Sequence, residues 1–159
     1  MVSRRGFTLV ELLVTFAIAG ILIASSVPGF VRSMRIYRDA QGREQIIQHL
    51  RAARQLAITR HCPVIVRFGD GVATTSVDNY TIHEDTNGDR IAQSTERQVL
   101  RTLPQGVLLG QIALAPVDSL IFDINGTLWP GSSGGQLVLA TRGGPDTLVV
   151  TPVGMVYHP

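Results

Sequence analysis

Residues 4–31 read RRGFTLVELLVTFAIAGILIASSVPGFV, and this stretch decides the fold of the 159-residue chain. Between Phe7 and Val31 the only ionisable side chain is that of Glu11. A helix of about 20 apolar residues crosses the hydrocarbon core of a bilayer, so this run is long enough to span a membrane. The sequence therefore predicts a transmembrane helix at residues 7–31.

Glu11 is the exception within this apolar run. A charge at the centre of a bilayer costs about 2.5–3.5 kcal/mol, and less near the interface. No basic side chain lies at helical spacing inside the run, so a partner must come from Arg4, Arg5 or an α-amino group created by cutting the chain before Phe7. Alternatively, Glu11 lies at the level of the lipid headgroups and is solvated.

A conventional secretory signal is the main alternative for this segment. Such a signal has an apolar stretch of about 7–15 residues before a small-residue cleavage site. Residues 24–26, Ala-Ser-Ser, can supply that site and would give a secreted binding protein beginning near residue 27. However, the apolar stretch here is longer and contains an acid.

The run RRGFTLVEL at residues 4–12 resembles the class III leader of type IV pilins and type II secretion pseudopilins. This resemblance implies that a prepilin peptidase cuts between Gly6 and Phe7 and that Phe7 is then N-methylated. It also implies that Glu11 pairs with the N-terminal amine of a neighbouring subunit during assembly. An ammonium group is a chemically suitable partner for a carboxylate in a low-dielectric environment.

Pro28 is expected to interrupt or kink the helix, because proline lacks the N–H that bonds to the preceding turn. The resemblance implies that the helix loosens here inside assembled filaments; an ordinary kink without a role is the alternative.

Residues 32–60 are predicted to continue the helix outside the membrane as a basic stalk, with seven arginines against two acidic residues. An apolar stripe at helical spacing indicates that its second half packs on a sheet. The stripe comprises Ile46, Leu50, Ala53 and Ala57, flanked by Ile47 and Leu56. The helix should end near His61, because Cys62 precedes a proline. Arginines 32, 35 and 38 can face anionic lipid, acidic faces of neighbouring subunits, or solvent.

The remainder of the chain alternates β-rich runs with turn residues. Strands are predicted at residues 63–68, 72–77, 79–84, 97–101, 106–112, 119–124, 136–141 and 147–157. The predicted fold class is α+β, in which a long N-terminal helix packs on an antiparallel head of one or two sheets. This head, with its closing run Gly154-Met155-Val156, resembles minor pseudopilins of the GspH and FimT type. It carries five arginines against nine acidic residues, which does not favour binding to nucleic acid.

Two patterns in the head imitate chemical sites. Residues 131–135, GSSGG, match a nucleophile elbow, and Asp146 and His158 follow in hydrolase order, but a strand rather than a helix is predicted after them, which favours a glycine-serine loop. Residues 85–96 place Asp85, Asn87, Asp89 and Glu96 at positions 1, 3, 5 and 12 of a calcium-type loop, but Arg90 replaces the glycine of position 6.

Cys62 is expected to be a buried thiol rather than a partner of His61.

The resemblance and the residues together predict a structural subunit with no catalytic residue, metal or cofactor. We expect a leader at residues 1–6, a transmembrane helix at 7–31, a stalk at 32–61 and a periplasmic head at 62–159, anchored once in the inner membrane. The expected role is that of a minor pseudopilin of type II secretion, with a minor pilin of a type IV pilus as the alternative. Expected partners are other pseudopilins or pilins, prepilin peptidase and membrane lipid.

Overall fold

The computed structural model describes residues 8–69, 77–115 and 118–159. Within them, the chain forms the helix α1 and then eight strands. The elements are α1 (Leu9–Arg60), β1 (Val64–Phe68), β2 (Asn79–Glu84), β3 (Arg97–Thr102), β4 (Leu108–Ala115), β5 (Ser119–Phe122), β6 (Gly134–Thr141), β7 (Gly144–Val150) and β8 (Val156–Tyr157). The chain divides into two compact units, residues 1–36 and 37–159, and α1 contributes to both.

The strands form two antiparallel sheets in the second unit. The first sheet has the order β3-β2-β1-β5, and the second has the order β4-β6-β7-β8. A single bridge between Val77 and Leu109 connects the segment before β2 with β4. The α+β class and the antiparallel head predicted from the sequence are therefore confirmed.

The core of the second unit forms between the apolar stripe of α1 and the inner faces of both sheets. Ile46, Leu50 and Ala57 of the stripe are at most 1% exposed and belong to one cluster with residues from both sheets. Alternate residues of β1 enter this cluster, since side chains in a strand point to opposite faces in turn. The predicted stripe is confirmed.

The C-terminal end of α1 also lies where the sequence predicts it. The helix ends at Arg60, and His61 takes a left-handed conformation with φ of 52°. The chain then enters β1 directly after Cys62 and Pro63. The restriction that proline places on the preceding residue explains this stop.

Three strand predictions need correction or fall outside the description. The predicted strand at 147–157 is two strands, because the chain reverses at Thr151, whose N–H donates to the carbonyl of Met155 (2.9 Å). The predicted strand at 106–112 begins later, at Leu108, because the N–H of Val107 closes a turn onto the carbonyl of Pro104 (3.1 Å). The predicted strand at 72–77 lies outside the described residues, apart from Val77.

Candidate assembly site on the N-terminal helix

Thr8 and Glu11 define the N-terminal end of α1. The backbone N–H of Glu11 donates to Oγ1 of Thr8 (3.3 Å), and the N–H of Leu12 donates to the Thr8 carbonyl (3.2 Å). Thr8 is therefore the N-cap, with Glu11 three residues later, which is the spacing of a capping box. The sequence analysis missed this role of Thr8, although the Thr-x-x-Glu spacing signals it. Glu11 is thus held at a fixed place in the first turn of the helix.

The first unit exposes its apolar side chains. Those of Leu9, Phe16 and Ile21 are between 69% and 81% exposed, and the described part of the chain buries none of the most apolar 18-residue window of α1. This helix is long and apolar enough to cross a membrane, judged by length and composition. Its surface requires lipid or other helices as a cover.

Polar side chains within the apolar run are satisfied by the helix itself. Oγ1 of Thr15 donates to the carbonyl of Leu12 (2.8 Å), and the hydroxyls of Ser25 and Ser26 both donate to the carbonyl of Leu22 (2.9 and 2.7 Å). These bonds remove the cost of placing a free hydroxyl in hydrocarbon. Glu11 differs, because no ion pair among the described residues includes its carboxylate.

Pro28 lies inside α1, and the helix is continuous through it. The loosening of the helix at Pro28 in an assembled filament stays a prediction. Proline still removes the donor for the carbonyl of Ala24, so one helical bond is missing at this turn. Gly6 and Phe7, the predicted processing residues, lie outside the described residues.

Two sequence matches cover most of the chain. Residues 1–27 match the prokaryotic N-terminal methylation motif, and residues 43–154 match the family described as type II transport protein GspH. The chain belongs to the GspH family. It is a minor pseudopilin or minor pilin, as the sequence predicted, and its family and fold are those of structural subunits. Membership implies assembly with other pilin-type subunits, and the methylation motif implies processing by a prepilin peptidase.

Solved structures show the same fold. Two crystal forms of the Pseudomonas aeruginosa type IV minor pilin FimU are similar to this GspH-family chain, with TM-scores of 0.54 and 0.52 and sequence identities of 16% and 17%. The similarity covers 76% of this chain in both cases, and 87% and 91% of the two FimU chains. No curated protein sequence matches the chain significantly.

The residues in hydrolase order do not assemble into one site. Nε2 of His158 lies 2.5 Å from Oδ1 of Asp146, and Arg43 of α1 binds the other oxygen of that carboxylate at 3.0 Å. Asp146 lies opposite Leu139 of β6 in the second sheet. Ser133 lies just before β6, six residues from Leu139, so at the rise of a strand it is about 20 Å away from Asp146. The Asp146 carboxylate instead connects α1 with the C-terminal end of the chain.

Two arginines of the stalk bind the head, a role that the charge pattern did not predict. Besides the Arg43–Asp146 pair, Nε of Arg54 donates to the carbonyl of Gly126 (2.7 Å). The charge pattern alone does not distinguish these two arginines from the other five of the stalk.

Cys62 is half-buried rather than buried as expected, and it does not have the surroundings of a reactive thiol. Burial raises the pKa of the Cys62 thiol, and the nearby charges of Glu84 and Asp85 raise it further. The thiol therefore stays protonated at neutral pH, and a protonated thiol is a poor nucleophile.

Proposed function

We propose that this chain is a minor pseudopilin of a type II secretion system, cut between Gly6 and Phe7, N-methylated on Phe7 and assembled through its N-terminal helix. In the assembled filament, the carboxylate of Glu11 pairs with the N-terminal amine of a neighbouring subunit. Before assembly the chain crosses the inner membrane once, with residues 62–159 in the periplasm. The family description, type II transport, supports this choice of machine.

The observation that carries the proposal is the uncovered apolar surface of residues 9–31 with one acid in its first turn. Helices in a membrane or a filament core associate through close packing and polar contacts rather than through exclusion of water. A carboxylate in such surroundings needs a cation, and an uncharged methyl group in its place cannot pair with one. Cutting before Phe7 creates an ammonium group four residues ahead of Glu11.

The variant Glu11→Ala tests the pairing in a host strain that lacks the native chain. We expect it to insert and to be processed, because neither step uses the carboxylate, and to be at least about tenfold depleted from sheared filaments. The measurement is the ratio of filament-bound to membrane-bound protein on immunoblots. Glu44→Ala is the matched control, because Glu44 is an exposed glutamate of the same helix whose side chain bonds Gln48. Normal incorporation of Glu11→Ala would exclude the pairing.

The processing step has its own test in the same strain. Gly6→Leu should leave a precursor that migrates more slowly on a gel, because a side chain at this position obstructs an extended backbone in the peptidase. The mature wild-type chain should begin with methylated Phe7. A mature chain that begins near residue 27 would instead indicate a conventional signal peptide.

A minor pilin of a type IV pilus is the second candidate, because both similar solved structures are of the minor pilin FimU. The two candidates differ in their neighbours. Crosslinking followed by mass spectrometry should recover pseudopilins of the secretion system in the first case and pilins of the pilus in the second.

A further inference from the structure

Three acidic side chains converge in the connection between β2 and β3. Asp85, Asp89 and Glu96 each place one carboxylate oxygen within 4.8 Å of those of the other two. Asp85 is fully buried, Glu96 is 8% exposed, and Asp89 is exposed. Oxygens that share one Ca²⁺ lie 2.3–2.6 Å from it, so they are at most about 5 Å apart. The three oxygens are already within that limit.

Glu96 provides an independent sign that this cluster can hold a cation. Its Oε2 accepts from the backbone N–H of Gln93 (3.2 Å), but its Oε1 is buried and has no hydrogen-bond donor among the described residues. No ion pair among the described residues includes Asp85, Asp89 or Glu96. A buried carboxylate oxygen without a partner is costly, and neighbouring carboxylates add repulsion. A cation between them would remove both costs.

Hydrogen bonds hold Asp85 in place but leave it able to coordinate. Its Oδ1 accepts from the N–H of Gly88 (2.7 Å), and its Oδ2 accepts from the N–H of Arg90 (2.9 Å). Each carboxylate oxygen has two lone pairs, so one bond to each leaves capacity for a metal. Asp89 is held more tightly, because its Oδ1 accepts from the N–H of Ile91 (2.8 Å) and its Oδ2 accepts from the side-chain amides of Asn87 and Gln93. Its Oδ1 therefore keeps the lone pair that can bind a metal.

Arg90 was the objection to a cation at this loop, and its placement answers that objection. Its φ of 62° is left-handed, so the residue makes the sharp turn that glycine usually makes at position 6. Its guanidinium lies 4.9 Å from the centre of the Trp129 ring, and its Nη1 donates to the carbonyl of Gly88 (3.3 Å). The guanidinium therefore contacts the aromatic ring and a carbonyl, and no ion pair among the described residues joins it to the three acids.

We propose that residues 85–96 form a Ca²⁺ site whose ligands include the carboxylates of Asp85, Asp89 and Glu96. Calcium suits the site better than magnesium, because it accepts irregular shells of six to eight oxygens, whereas Mg²⁺ needs near-ideal octahedral geometry. Bound Ca²⁺ would link the two ends of the β2–β3 connection through Asp85 and Glu96. This proposal does not depend on the pairing of Glu11.

Calcium titration of the full-length chain in detergent tests this site. After removal of metals with EGTA, calorimetry with CaCl₂ should give one site with a Kd of about 0.1–1 mM, the range of extracellular modules. Saturating Ca²⁺ should raise the unfolding temperature by about 3–8 °C, because only the folded state binds the ion. The single tryptophan, Trp129, stacks on Arg90 of the loop, so its emission should change with the same midpoint.

Two variants and one control identify the ligands. Glu96→Gln and the exposed Asp89→Asn should each weaken Ca²⁺ binding at least tenfold, whereas Glu44→Gln, outside the loop, should bind as the wild type does. In EGTA, Glu96→Gln should unfold at the wild-type temperature or above it, because it removes a repelled charge.

Several results would overturn the site. One is the absence of binding heat when the wild type is titrated with Ca²⁺. Another is a Ca²⁺-induced rise in the unfolding temperature of Asp89→Asn that equals the rise in the wild type. A third is a rise in the wild type with Mg²⁺ that equals the rise with Ca²⁺. An unfolding temperature of Glu96→Gln below that of the wild type in EGTA would also count against it, because the Glu96 charge would then be compensated within the protein.

Discussion

The two parts of α1 face different surroundings although they belong to one continuous helix. In residues 9–36 the large apolar side chains are exposed, as with Leu22 at 61%, whereas in residues 37–60 the apolar stripe is buried, as with Leu50 at 1%. The difference is not one of hydrophobicity, since the first part is the more apolar. The second part is covered by its own chain, and the first must be covered by lipid or by other subunits.

Glycines show the same contrast at the level of single atoms. A Cβ added at Gly20 or Gly29 would meet nothing within 4 Å, whereas one at Gly42 would lie 2.9 Å from Cγ1 of Val107. Gly42 therefore allows the helix to approach the head closely. The glycines of the first part leave room that only another molecule can fill.

Leucine truncation should reveal the contrast most strongly. Leu50→Ala should lower the free energy of unfolding by about 2–5 kcal/mol, because it leaves a cavity in a closed core. Leu22→Ala, the matched change in the first part, should leave it within about 0.5 kcal/mol of the wild type. Thermal unfolding of the full-length chain in detergent measures both. Equal losses for the two variants would contradict the division of α1 between two surroundings.

Alanine substitutions at Gly42 and Gly20 should change the free energy of unfolding by less than the leucine truncation does, and in opposite directions. Gly42→Ala should destabilise the chain by about 1 kcal/mol, because crowding against Val107 outweighs the gain in helix propensity. Gly20→Ala has no such contact and should be neutral or stabilising. The same unfolding assay applies, and a stabilised Gly42→Ala would show that Val107 moves aside freely.

His49 should give the smallest effect, visible as a pH dependence. Burial lowers the pKa of His49 below its ordinary value of 6.5, and the charge of Arg101 lowers it further. Its Nδ1 contacts the hydroxyl of Tyr80, whose pKa burial raises to about 12, so Tyr80 stays protonated. The folded state disfavours the charged imidazole, so protonation of His49 favours unfolding. The stability that the neutral imidazole supports is therefore complete above pH 6.5 and is lost as the pH falls below it.

The variant His49→Gln should flatten the decline in unfolding temperature between pH 7 and 5, because glutamine retains a polar contact with Tyr80 but does not titrate. His61→Gln, at an exposed position just beyond the helix, serves as the control and should retain the wild-type slope. An unchanged slope in His49→Gln would assign the pH dependence to other groups.

Local sequence patterns predicted the elements that follow local rules. The stripe of α1, its end at Arg60 and the strand β2 at residues 79–84 were all predicted, because helical spacing, the pre-proline restriction and β-rich composition act over a few residues. The division of residues 147–157 into β7 and β8 was missed. Pro152 and Gly154, whose φ is 76°, are the local turn signals there, and the bond from Thr151 to Met155 closes the turn.

The sequence by itself determined that the chain has an apolar N-terminal helix with one acid and a β-rich head, since length, charge and periodicity are properties of neighbouring residues. The tertiary structure alone decided which strands share a sheet and that Arg43 binds Asp146 across 103 positions. These contacts depend on distances that the chain acquires only when it folds. No local pattern encodes them, because side chains far apart in sequence meet only after the core has fixed their backbones.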